Sequence, residues 1–122
     1  MNEAWRDRLE AAGLDTAQAL ERMMGSEALL ERLLDKFLED GNFAALTAAL
    51  RAGDAAGAVQ AAHTLKGVCG NLSMTALFGL FTSQVAALRE GDLAGAGRLM
   101  EEIGPAYSAV TAAIRGGTDG PG

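Results

Sequence analysis

Apolar residues recur along this chain at intervals of three, four and seven, the spacing that gathers them on one side of an α-helix. Between the runs stand Gly, Asp, Ser and Asn, residues that start and stop helices. The pattern predicts a short helix over 2–12 stopped by Gly13, and a second, capped by Asp15, that ends at Gly25. Ser26 can cap the next, whose Leu29, Leu30, Leu33 and Phe37 form a strongly amphipathic stripe. Near Gly41-Asn42 the hydrophobic phase shifts, so a bend or break is expected before Phe43, Leu46 and Leu50. Asp54 caps a helix over 54–72. After a reversal near Ser73, a helix over 74–90 carries a stripe of Met74, Leu77, Phe78, Phe81, Val85 and Leu88. The last helix follows Asp92. Its stripe of Ala96, Met100, Ile103, Tyr107, Val110 and Ile114 stays in phase through Gly104-Pro105, which predicts one kinked helix and not two.

No run alternates with the two-residue period of a strand. Helices joined by short turns, each with one apolar stripe, imply an all-α fold: an up-and-down antiparallel four-helix bundle with short extra N-terminal helices. The 122 residues are enough for a single domain, assigned to 1–115. The remaining 116–122 lack apolar residues and are expected to be a disordered tail.

His63 is the one histidine of the chain. At about 100° per residue, Ala58, Ala61, Ala62, Leu65, Val68, Cys69 and Leu72 share one broad face of the 54–72 helix. His63 emerges about 160° from Leu65, among Ala56, Val59, Gln60, Lys66, Gly67 and Gly70. Helical side chains lean toward the N-terminus, so the residue four positions on would lie over the ring, and here it is Gly67. Gly70 clears the following turn. A glycine inside a helix costs about 1 kcal/mol relative to alanine, so two beside one imidazole suggest close approach by another molecule. Lys66, three residues on, brings a cation alongside.

Composition narrows the options. Hydrophobic residues make up 49% and aromatics 5%, which favours thin, closely packed helices rich in Ala and Leu. Cys69 has no partner for an intramolecular disulfide and falls on the core face, so a packing role in a reducing compartment is expected. It points away from His63, and no other ligand cluster stands out, so no metal site is expected. A net charge of -6 argues against nucleic-acid and anionic-membrane partners. No segment reaches the roughly 18 unbroken apolar residues of a spanning helix. Glu3, Arg6, Asp7 and Arg8 interrupt any secretory apolar region. A soluble, cytoplasmic protein is expected.

The run His63-Thr64-Leu65-Lys66-Gly67, with Asn71-Leu72 and Leu77 after it, resembles the signature of histidine-containing phosphotransfer (HPt) domains, the carriers of multistep phosphorelays. The likeness extends over roughly residues 15–114. Gly25-Ser26-Glu27-Ala28-Leu29-Leu30 and Phe37-Leu38-Glu39-Asp40 are similar to the family's second helix, and Arg51-Ala52-Gly53-Asp54 to the turn before the histidine helix. Two positions depart from the pattern. Ser73 stands where the family often has glycine, and Val85, with Gln84 beside it, where many members have a glutamine. Gln84 comes level with His63 across an antiparallel pair. At the edge of its stripe, it either orients the imidazole or simply reaches water.

The resemblance implies a phosphoryl carrier without kinase activity of its own. His63 would take the group on Nε2 from a receiver phospho-aspartate and pass it to a second receiver. Lys66 would offset part of the roughly -2 charge gained. Ala56, Val59, Gly67 and Gly70 would form the contact patch, with Gln60 at its border. Response-regulator receiver domains are the implied partners, with a hybrid sensor kinase as a further candidate. Mg²⁺ would come with the receiver, no cofactor would sit in this chain, and the carrier would be monomeric. Two alternatives stay open: a structural or adaptor bundle with an idle His63, and the histidine-bearing input domain of a chemotaxis-type kinase.

Overall fold

Helix boundaries follow the capping chemistry. Asn2, Asp15, Ser26, Asp54 and Asp92 each accept, through a side-chain oxygen, the backbone N–H three residues on, from Trp5, Gln18, Leu29, Gly57 and Gly95. Each bond satisfies a donor that the first helical turn leaves free. The computed structural model describes residues 1–117. Among them are seven helices: α1 (Glu3–Ala11), α2 (Thr16–Arg22), α3 (Glu27–Leu38), α4 (Asn42–Ala52), α5 (Ala55–Asn71), α6 (Thr75–Arg89) and α7 (Leu93–Gly116). No strand occurs among the described residues.

The expected phase shift near Gly41 is a true break. Asp40 Oδ1 accepts both the backbone N–H and the side-chain amide of Asn42, each at 2.7 Å, and this ties off the start of α4. α3 and α4 therefore act as one broken leg of the bundle. The leg packs on α5 and α7, α5 packs on α6, and α6 on α7, so the four antiparallel legs close around one core. Phe43 stacks on Tyr107, with ring centroids 4.0 Å apart, and Phe37 meets the same ring tilted. These three aromatics join α3 and α4 to α7.

α7 continues without interruption through Pro105, so the expected single helix is found. It also runs further than expected, because Gly116 is its last residue. The Gly117 carbonyl accepts a hydrogen bond from Arg8 Nη2 at 2.8 Å. The first two residues of the expected tail thus belong to the fold, and 118–122 lie outside the described residues.

The N-terminal helices are fastened at two points, one on α7 and one on the α5–α6 turn. Trp5 is buried, and its Nε1–H donates to the Ala113 carbonyl at 2.9 Å, which holds α1 on α7. At the second point, the Asp15 N–H donates to the Ser73 carbonyl at 2.8 Å, and Thr75 Oγ1 donates to the Gly13 carbonyl at 3.1 Å. The α1–α2 connection is therefore bonded to the α5–α6 turn, and α2 is held beside that hairpin.

The buried face of α6 differs from the expected one. Phe78, placed in the core stripe by spacing, is 40% exposed, while Gln84, placed at its edge, is 0% exposed. The physical reason is that α6 lies between α5 and α7. Its inner arc is set by two neighbours, and Leu77, Phe81, Gln84, Val85 and Leu88 fill it.

Candidate functional site

α5 carries the site, and its inner face is as the periodicity predicts. Ala58, Ala61, Ala62, Leu65 and Cys69 are buried, with Val68 partly buried beside them. This one-sided burial fixes the rotation of the helix and turns His63 outward, where it is exposed. Ala56, Gln60 and Gly67 are exposed around it. Val59 is less open than expected, because its side chain packs partly against the core.

The two glycines, alike in sequence, have different surroundings. A Cβ built on Gly67 meets nothing within 4 Å, so the space one turn beyond His63 is open. A Cβ on Gly70 comes within 3.0 Å of the Phe78 ring. The expectation that both positions are bare needs correction: Gly70 makes room for Phe78, and that ring covers it. The exposed Phe78 and the glycine beside it are one packing event between α5 and α6.

Lys66 is partly buried on the same side of α5. The ion pairs among the described residues both belong to the Met1 amino group, so the Lys66 ammonium has no carboxylate partner there. The Thr64 hydroxyl donates to the Gln60 carbonyl one turn earlier at 3.0 Å, which turns it back onto its own helix.

Gln84 does not stand where an orienting group would have to be. Its Nε2 donates to the Ala96 carbonyl at 3.0 Å and to Met100 Sδ at 3.3 Å, both on α7. Its Oε1 is buried without a partner. The amide is committed to the α6–α7 interface, because a buried donor must find an acceptor and α7 supplies it. Both sequence readings of Gln84, the orienting group and the water-exposed amide, give way to a buried link between helices.

Cys69 is buried on the core side of α5. Burial, with a smaller contribution from Asp40, pushes its thiol up to about 12. It is a packing group, inert as a nucleophile near neutral pH. Among the described residues, no group of three or more His, Cys, Asp or Glu could hold a metal ion, and no helix is long and apolar enough to cross a membrane.

One component was not visible in the sequence. A groove of about 450 Å³ runs along the His63 side of α5 toward its C-terminal end, lined by Gly67, Gly70 and Asn71, by Phe78 of α6, and by Gln18 and Arg22 of α2. The contribution of α2 depends on a contact between segments far apart in the chain. No local pattern could have signalled it.

Fold and site together define a helical bundle with an exposed imidazole on the outer face of α5, beside the open backbone of Gly67. A family model described as Hpt domain matches residues 28–114. The chain belongs to the Hpt domain family, whose members carry phosphoryl groups on a histidine in phosphorelays. No match was found among curated proteins or among solved structures.

Proposed function

We propose that this protein is a histidine phosphotransfer carrier that takes a phosphoryl group on His63 from a receiver-domain phospho-aspartate and passes it to a second receiver. The observation that carries this reading is the exposed imidazole beside the open backbone of Gly67, within the span of the family match. A neutral imidazole has a lone pair on one ring nitrogen and is a competent nucleophile for phosphorus. Nε2 attacks, the P–Nε2 bond forms, and the P–O bond to the receiver's aspartate breaks with its electron pair leaving on the carboxylate. Return to a second receiver is the reverse of these steps.

Phosphoryl transfer relies on in-line positioning and charge neutralisation. The carrier contributes the first, through a nucleophile fixed on a rigid helix. Mg²⁺ on the receiver supplies most of the second, and Lys66, one helical turn from the ring, offsets part of the added charge. Receivers reach the ring across Ala56, Val59, Gln60 and Gly67.

The test is incubation of the purified chain with phosphorylated receivers, followed by assay for acid-labile, base-stable phosphate. Wild-type protein takes up label. His63→Gln takes up none while keeping its helical circular dichroism. Labelling of the His63→Gln protein at the normal rate would show the site assignment to be wrong.

A further inference from the structure

We infer that α2 is a specificity arm for the receiver, with Arg22 pairing with a carboxylate on the docked partner while Phe78 covers an apolar side chain next to it. This inference rests on the phosphotransfer reading and extends it to a segment outside the family match, which begins at residue 28. The groove described above starts at Gly67, one turn from His63, and runs between α5, α6 and α2. It is therefore continuous with the face that a receiver must cover to reach the imidazole.

The chemistry of the groove selects the occupant. Arg22 is exposed on the last turn of α2, and among the described residues no carboxylate pairs with it. The chain carries a net charge of -6, so an acidic partner is repelled by most of the surface and attracted only where cations are free. Lys66 and Arg22 are two such cations beside the site. Phe78, 40% exposed, supplies an apolar contact that stays rigid because its ring rests against Gly70. A guanidinium beside an aromatic ring is a frequent anchor in protein interfaces. An acidic side chain next to an apolar one, presented by a receiver, satisfies both groups.

The position of α2 is fixed and not a chance feature of a loose terminus. Asp15, which caps α2, also donates its backbone N–H to Ser73, and Thr75 bonds to Gly13. These links lock α2 to the α5–α6 turn, and so Arg22 keeps its place over the groove.

The experiment compares Arg22→Glu with Arg89→Glu, which makes the same change in net charge on the exposed end of α6. Transfer from a phosphorylated cognate receiver is followed as a function of receiver concentration. Arg22→Glu should raise KM at least tenfold with kcat within twofold of wild type, and Arg89→Glu should move KM less than threefold. Exchanging an acidic residue on the receiver for Arg should restore much of the loss in Arg22→Glu. Equal KM for the two variants overturns the role of α2 and leaves the His63 assignment standing. Failure of wild-type protein to accept phosphate from any receiver overturns both.

Discussion

Replacing Gly67 by Ala separates what the helix wants from what the site needs. Gly67 lies in the interior of the 17-residue α5 and does not have a positive φ. Nothing stands within 4 Å of the added Cβ, and the residue is exposed. The folded protein therefore offers no steric objection, and helix propensity alone sets the effect: a gain of about 0.8–1.0 kcal/mol. For a domain of this size that is a rise in Tm of about 3–5 °C. The same methyl leans back toward His63 and holds a docking surface away from the ring. A misplacement of about 1 Å at a reacting centre can cost on the order of a hundredfold in rate. Transfer should therefore slow about ten- to a hundredfold in a protein that is more stable. Urea unfolding followed by circular dichroism measures the first effect, and rapid-quench transfer from a phosphorylated receiver the second. Normal transfer by a stabilised Gly67→Ala protein refutes the open-approach reasoning. Lower stability refutes the claim that the fold has no use for this glycine.

Other outcomes follow from the same structure. Ser73 has φ 55° and a buried hydroxyl without a partner, so Ser73→Gly should raise the urea midpoint by an amount equivalent to about 1 kcal/mol despite the greater freedom of glycine in the unfolded chain; a lower midpoint would contradict this. Gln84→Ala should cost about 2–3 kcal/mol through an emptied core position and a lost interhelical bond, and leave the His63 ring resonances unmoved in NMR spectra; displaced resonances at undiminished stability would return Gln84 to the site. The Cys69 thiol should react slowly with iodoacetamide in the folded protein at pH 8 and rapidly in denaturant. Because its pKa is raised from 9.0 to about 12 by burial, the unfolded chain loses this proton first. That contribution to stability is intact below about pH 8 and should decline, by at most about 1.4 kcal/mol per pH unit, as pH rises from 9 toward 12; a Cys69→Ala protein should lack this decline.

Much of this molecule is written locally. Capping residues sit three positions before the N–H they satisfy, so Asn2, Asp15, Ser26, Asp54 and Asp92 announce helix starts without help from distant segments. The alanine- and leucine-rich stripe of α5 fixes which side faces the core, and with it the outward direction of His63. A helix with one apolar stripe has a single stable rotation against a neighbour. That is why the histidine and Gly67 could be placed from spacing alone.

Other features depend on two or more helices meeting. By spacing Phe78 belongs to the core stripe of α6 and Gln84 to its edge, and it took the position of α7 to draw the amide inward and leave the ring in the groove. Gly67 and Gly70 look equivalent along α5 until Phe78 settles on one of them. Arg22 lines the groove because the α1–α2 connection bonds to the turn at Ser73, a contact across more than fifty residues that no periodicity encodes. Helical period is a property of adjacent turns and is present in the chain itself. The contents of a surface shared by three helices are set by which of their faces come together, and that is fixed only when the bundle closes.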